Sequence, residues 1–183
     1  PVAHIEAGLR SYNRQMPEEV NRVMVDYVST LLFCPSEADV GRLGKEGLVN
    51  GIFEVGDVMK DAIRLFLPIA LKRDEVLARR GLKPGEYAVA TLHRPSNVDT
   101  PGNAPKILDE LDGIGLPVVL PIHPRLRKAI GERRYENLIL EEPLGYLDMM
   151  KLCHDAEIVI TDSGGLQKEA YWLRTPCLTL RTE

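Results

Sequence analysis

Short apolar runs alternate with segments of helical period along nearly the whole chain. The runs fall at residues 31–34, 52–55, 87–92, 118–122, 138–140, 158–160 and 177–180. Runs this short and this apolar fit strands covered on both faces, and the segments between them supply the helices, so the pattern predicts an α/β fold built on parallel sheet. Pro17-Glu18-Glu19 opens a helix with proline at its first position and acids in its first turn, and Val20, Met24, Tyr27, Val28 and Leu31 form its apolar stripe. Ser36 and Asp39 frame the start of a second helix as a capping-box pair, and Gly47 marks its stop. Over residues 58–81 the alternation lapses: two helical segments, 58–67 and 69–80, meet at Pro68 with no strand between them. This reads as a linker, which puts a domain boundary at Gly56-Asp57 and domains at residues 1–56 and 57–183.

The ends of the predicted strands carry the chemistry. Thr161-Asp162-Ser163-Gly164-Gly165 follows one apolar run and leads into a helix ending its first turn and a half near Glu169. A helix N-terminus offers unpaired N–H groups and the positive end of the helix dipole, and Gly164 and Gly165 let a phosphate reach the backbone with no Cβ in the way. A carboxylate at Glu169 beside a diphosphate makes sense when it accepts hydrogen bonds from neutral hydroxyls, such as those of a nucleotide ribose. The alternative is an ordinary strand-to-helix turn with Ser163 as its N-cap.

His93-Arg94 stands at the end of the run at 87–92, and His123-Pro124-Arg125 repeats the arrangement one strand later, with Arg127 two residues on. A histidine beside an arginine at a strand's carboxyl end suits a diphosphate, and in open α/β sheets that edge is where ligands bind. The plain alternative for His93 is a structural strand-end residue. Near the amino end, Glu6 closes a strand and Glu18 opens a helix. Two carboxylates brought to one site can move a proton on and off carbon or oxygen, because burial and mutual repulsion push their pKa values apart. The other reading is that Glu18 and Glu19 complement the helix dipole and that Arg10 pairs with one of them.

Composition narrows the classes. The chain has 183 residues, 44% of them hydrophobic and 27% charged, within the range of globular proteins. Its net charge of −4 has no basic block behind it, which argues against a nucleic-acid partner. No apolar run reaches the roughly 18 residues of a membrane span. Cys34, Cys153 and Cys177 are odd in number and far apart, so neither a disulfide framework nor a metal site is expected, and a cytoplasmic setting is. The chain lacks an initial methionine and stops just after an apolar run, so a fragment of a longer protein is expected.

Taken in order, His4-Ile-Glu-Ala-Gly-Leu-Arg10, Pro17-Glu-Glu-Val-Asn-Arg22, Thr91-Leu-His-Arg94, Pro121-Ile-His-Pro124, Pro143-Leu-Gly-Tyr146 and Thr161-Asp-Ser-Gly-Gly-Leu-Gln-Lys-Glu169 resemble the non-hydrolysing UDP-N-acetylglucosamine 2-epimerases. The resemblance implies two Rossmann-like domains of the GT-B glycosyltransferase type, the first missing its amino-terminal part. It implies a UDP-sugar substrate, no cofactor, a homodimer and a role in cell-surface polysaccharide synthesis. It also implies a reaction in which UDP is eliminated to leave a 2-acetamidoglucal and is then added back with C2 inverted. By position, Glu6, Glu18 and His93 match the family's catalytic groups. Ser163, Gly164 and Gly165 match its phosphate-binding turn, and Glu169 its ribose-binding acid. Arg10, Arg22, Arg94 and His123 are the further expected substrate contacts. Pro95-Ser96, Met149 and Lys168 depart from common members, Met149 standing where some place an aromatic over the uracil. Three readings stay open: the epimerase, a hydrolysing epimerase or one acting on a modified UDP-sugar, and a nucleotide-sugar-binding module without turnover, whereas a glycosyltransferase would share the glycine turn and Glu169 but have no need of Glu6 and Glu18 as a carbon acid–base pair.

Overall fold

A computed structural model of the chain describes residues 1–131 and 133–181, and of Pro124, Arg125 and Ala129 the backbone alone. The described backbone forms two compact units, residues 1–62 and residues 63–181.

In the first unit, β1 (Ala3–Ile5), β2 (Leu31–Cys34) and β3 (Ile52–Glu54) pair in parallel in the order β1-β2-β3. Two helices make the crossovers, α1 (Pro17–Val28) and α2 (Glu37–Lys45). The core is small: Ala7, Leu32, Cys34 and Leu43, with Val40, Leu48 and Ile52 packed against them.

Helix α1 forms where its proline and first-turn acids place it, with its apolar stripe exposed. Val20, Met24, Tyr27 and Val28 are exposed, Leu31 lies in β2 rather than in the helix, and the buried residues of α1 are Glu19 and Asp26. The periodicity identifies two faces without saying which turns inward. Here the inward face is taken by carboxylates that receive N–H groups from the loop after β1, and burial of a charge is tolerable only with such partners. Ser36 stands at the N-cap of α2, but its hydroxyl bonds the Asp39 carboxylate at 2.6 Å instead of a backbone N–H. After Lys45 the chain closes as expected at Gly47, φ 87°, with Leu48 N–H returning to the Leu43 carbonyl at 3.0 Å.

The expected break at Pro68 is also corrected. One helix, α3 (Val58–Ala70), runs through it, and α4 (Glu75–Ala78) follows. Proline in the last turn forfeits one backbone bond, and the buried face of Ile63, Phe66, Leu67 and Ala70 holds the helix on the core of the second unit. The division between the units falls inside α3.

The second unit has five parallel strands, β4 (Ala88–Thr91), β5 (Val118–Pro121), β6 (Leu138–Glu141), β7 (Ile158–Thr161) and β8 (Cys177–Thr179), in the order β6-β5-β4-β7-β8. Its helices are α5 (Pro95–Val98), α6 (Asn103–Asp112), α7 (Pro124–Ile130), α8 (Tyr146–Asp155) and α9 (Gly164–Leu173). The strand period of two sends Val89, Val119 and Val159 to one face, beneath Leu152 and Ala170. Ala88, Ala90, Val118 and Leu120 go to the other, with Leu108 and Leu126. The chain steps from β4 outward to β6, then crosses back to lay β7 on the other side of β4. That reversal makes the carboxyl ends of β4 and β7 the topological switch point, where open α/β sheets bind ligands.

Tyr87 ties this sheet to α8: it is fully buried, and its hydroxyl donates to the Leu152 carbonyl at 2.6 Å. Tyr87→Phe leaves that carbonyl unpaired in the core, and denaturant unfolding should show a loss of about 1–3 kcal/mol. An unchanged unfolding midpoint would remove this bond from the account.

Candidate active site

The first unit gathers its polar residues at the end of β1. Glu6 takes a left-handed backbone, φ 71°, which costs a residue with a Cβ roughly 1–2 kcal/mol. Its neighbours hold it there. Asp26, fully buried on α1, binds His4 Nδ1 at 2.6 Å, the Gly8 N–H at 3.2 Å and Arg10 Nη1 at 2.7 Å. Gly8, φ 83°, must be glycine, since a Cβ would lie 2.6 Å from the Asp39 carbonyl oxygen. Arg10 also grips Glu46 through Nε at 2.8 Å and Nη2 at 2.6 Å, and donates to the Leu9 carbonyl at 2.7 Å. Its side chain is 2% exposed. The hydrogen bond to Glu46 raises its pKa above the usual arginine value, with Asp26 adding to this and burial opposing it.

The two adjacent acids of α1 differ. Glu19 is buried and receives the N–H groups of Ser11 and Tyr12, both at 2.9 Å, with Arg22 Nη1 3.7 Å away. Burial pushes its carboxyl up, but the backbone N–H groups of Ser11 and Tyr12, the Ser11 hydroxyl and Arg22 together outweigh this and hold it below the ordinary range. Glu18, one residue earlier at the start of the helix, is exposed. The helix-cap and loop-clamp reading therefore belongs to Glu19 and leaves Glu18 available for other work.

In the second unit the ends of β4 and β7 are tied by the Thr91 and Thr161 hydroxyls, 2.6 Å apart. Ser163 caps α9, its Oγ accepting from Leu166 N–H at 3.3 Å, while its own N–H bonds Thr161 Oγ1 at 2.9 Å. The cap and the anion site are compatible, because Gly164 and Gly165 occupy the first helical positions, whose N–H groups have no intrahelical acceptor. Beneath them Asp162, fully buried, accepts from the N–H groups of His93 (3.0 Å) and Arg94 (2.9 Å) and from Asn97 Nδ2 (3.0 Å), and meets His93 Nδ1 at 2.9 Å. Arg94 Nε donates to the Asp162 carbonyl at 2.8 Å. One carboxylate thus joins the His93 loop to the glycine turn.

Glu169 lies farther along α9, beside Ile63, Tyr146, Met149, Met150 and Leu166, around a cavity of about 10 Å³, near the space of one water. Burial raises its carboxyl pKa, offset in part by a hydrogen bond from the Tyr146 hydroxyl. Burial and then Glu169 push that phenol up to about 12. His123 is exposed at the end of β5, one strand away from the switch point. Arg127 is paired with Glu142, and the Arg125 side chain lies outside the described residues. Among the described residues no group of three or more His, Cys, Asp or Glu is placed to hold a metal, and no helix is long and apolar enough to cross a membrane.

The family model "UDP-N-acetylglucosamine 2-epimerase" matches residues 1–183. The chain belongs to that family. It is 43% identical to a UDP-N-acetylglucosamine 2-epimerase homolog of Methanococcus maripaludis, over 98% of this chain and 53% of that protein. It is 42% identical to the UDP-2,3-diacetamido-2,3-dideoxy-D-glucuronate 2-epimerase of Pseudomonas aeruginosa, over 100% and 52%. Among solved structures, the Methanocaldococcus jannaschii UDP-GlcNAc 2-epimerase in complex with UDP-GlcNAc and UDP superposes with a TM-score of 0.85 at 39% identity, over 98% of this chain and 53% of that one. The chain spans about half the length of the curated relatives it matches. Its fold is α/β, of the GT-B type shared by these epimerases, with parallel sheets flanked by helices.

Within this chain the expected residues separate into groups. Glu6, Arg10, Glu18 and Arg22 share the first unit; His93, Arg94, Ser163, Gly164 and Gly165 meet at the switch point of the second, with Glu169 in the same helix and His123 apart. Arg10, expected among the substrate contacts, pairs with Asp26 and Glu46, and its ion-pair partners are neither Glu18 nor Glu19. Three residues were missed. Asp26 and Asp162 gave no periodic signal, although Asp162 lies inside the glycine motif. Arg181 follows β8, and its Nη1 lies 3.1 Å from where a Cβ on Gly164 would sit, so it brings a cation to the glycine turn.

Glu19 and Glu169 should respond to pH with opposite signs. The folded pKa of Glu19 is depressed, so the stability it contributes is present above the unfolded value near 4.5 and lost as pH falls through the folded value. Glu19→Gln should cost about 1.5–3 kcal/mol at neutral pH, with the deficit closing in acid. The folded pKa of Glu169 is raised, so its favourable contribution belongs to low pH and disappears as pH rises. Glu169→Gln should therefore match or exceed the parent in stability at neutral pH. Parallel stability–pH curves for the two variants would refute both assignments.

Proposed function

We propose that the whole protein interconverts UDP-N-acetylglucosamine and UDP-N-acetylmannosamine by removing the C2 proton, breaking the C1–O bond to release UDP, and adding UDP back to the 2-acetamidoglucal as a proton arrives on the opposite face of C2. The observation that carries this reading is the coupling of His93 to the Ser163-Gly164-Gly165 turn through Asp162 at the switch point of a parallel sheet. A helix N-terminus that binds phosphate with an ionisable ring beside it is equipped to hold a diphosphate and support it as it leaves.

The carbon chemistry falls to Glu6 and Glu18. Glu6 is held in a costly backbone conformation, and such strain accumulates where geometry serves function. Glu18 is left exposed while its neighbour does the structural work. A glycosyltransferase would use the phosphate turn and Glu169 but has no need of a carbon acid–base pair, and a binding module needs neither. Glu169 takes the ribose hydroxyls in this proposal, and Arg22, Arg94 and His123 are further substrate contacts. Residues 1–56 and 57–183 are assigned to the first and second domains, and a cytoplasmic homodimer serving cell-surface polysaccharide synthesis completes the reading; the free thiols fit a reducing compartment.

A second substrate has a specific observation behind it. The relative at 42% identity is named for a 2,3-diacetamido-2,3-dideoxyglucuronate, which differs at C3 and C6. Product analysis with both UDP-sugars separates the two, and release of free sugar in place of UDP-sugar would identify a hydrolysing enzyme.

In the whole protein, Glu6→Gln and Glu18→Gln should each cut deuterium wash-in at C2 by roughly 10²–10⁴-fold with little change in UDP affinity. Wash-in at the parental rate in either variant returns that residue to a structural role. Glu169→Ala should weaken UDP much more than free diphosphate; equal losses would count against the ribose assignment.

A further inference from the structure

We propose that Asp162 is a positioning residue that sets the tautomer and orientation of His93; this inference rests on the proposed role of His93 at the leaving diphosphate. The chemistry of the pair decides it. An ionised carboxylate attracts a proton-bearing ring nitrogen and repels a lone pair, so the 2.9 Å approach of His93 Nδ1 to Asp162 Oδ1 favours the tautomer with its proton on Nδ1. The other tautomer would set a lone pair against the carboxylate. Nε2 is then the ring atom left to face a ligand, on a side chain that is 48% exposed although its partner is fully buried.

The main chain is held by the same group. The His93 N–H reaches both carboxylate oxygens, at 3.2 and 3.0 Å, so Asp162 fixes the main chain of the residue while the ring nitrogen lies beside the same carboxylate. Arg94 N–H and Asn97 Nδ2 satisfy the remaining acceptor positions, at 2.9 and 3.0 Å, which makes burial of the charge tolerable. Asp162 is also the residue immediately before Ser163, so one side chain sets the position of the ring relative to the phosphate turn. Holding a catalytic group within a fraction of an ångström in this way changes rate more than affinity.

The test uses the whole protein. Long-range ¹H–¹⁵N spectra of ¹⁵N-histidine-labelled protein, with His93 assigned by comparison with His93→Gln, should show His93 bearing a proton on Nδ1. In Asp162→Asn the ring should shift toward the Nε2-protonated form. Turnover should fall by roughly 10²-fold or more while UDP affinity changes only a few-fold, and adding His93→Ala should cost little further, because the two residues act as one unit. A parent His93 protonated on Nε2 alone overturns the proposal without any variant, so it stays testable if Asp162→Asn does not fold. Losses that multiply in the double variant overturn it as well and leave Asp162 as a loop clamp. Absence of C2 exchange in the parent protein would sink the epimerase reading, while the tautomer measurement still decides the Asp162–His93 link.

Discussion

Buried carboxylates that accept backbone N–H groups organise both units of this chain. Asp26 lies under the loop after β1 and Asp162 under the loop after β4, and each is fully buried. A chain leaving the end of a parallel strand has N–H groups that neither sheet nor helix satisfies, and water cannot reach them all. One carboxylate can take several at once and can hold side chains too: Asp26 binds His4, Gly8 and Arg10, and Asp162 binds His93, Arg94 and Asn97. An apolar residue in either place would pack, but it would leave the loop without geometry.

The same constraint explains why the chemistry sits where it does. A loop fixed from below can carry a residue in an unfavourable conformation on top, because the surrounding bonds offset the local cost. Glu6 at φ 71° lies between His4 and Gly8, both bound to Asp26. His93 keeps an exposed ring while its backbone is tied to Asp162. Burial of each clamp also separates two uses of acid in the chain. Asp26, Asp162 and Glu19 are buried and hydrogen-bonded to loop donors, whereas Glu18 is exposed on the same helix as two of them.

Much of this was legible in the sequence. Every predicted apolar run lies on a strand, because parallel strands covered on both faces leave a continuous apolar trace. The glycine turn and its helix were legible for a similar reason: Ser, Gly and Gly at a strand end have few other uses. Legibility failed where a face or a partner had to be chosen. The stripe of α1 has a helical period, yet its apolar side is the outer one, since Glu19 and Asp26 find donors inward that no one-dimensional pattern displays. Pro68 signals a break only if nothing else holds the helix, and the contacts of Phe66 and Leu67 with the core hold it. Arg10 is expected among the substrate contacts on the family resemblance, with pairing to Glu18 or Glu19 as the alternative. Its partners, Asp26 and Glu46, lie on other elements and appear only once the chain is folded.

Glu18 and Glu19 show how little separates a structural acid from a chemical one. They share a residue type, a helix and its dipole, so composition and spacing treat them alike. What differs is direction: one step along a helix turns a side chain by about 100°, enough to carry Glu19 under the 11–16 loop and leave Glu18 outside it. Ser11 and Tyr12 then bind Glu19, and Tyr12 takes a left-handed backbone, φ 59°, in doing so. The loop therefore takes its shape from the acid at position 19, while Glu18 stays exposed. The same helix start thus carries one acid that the loop uses and one exposed to solvent, which is why the proposed chemistry is assigned to Glu18 and not to Glu19.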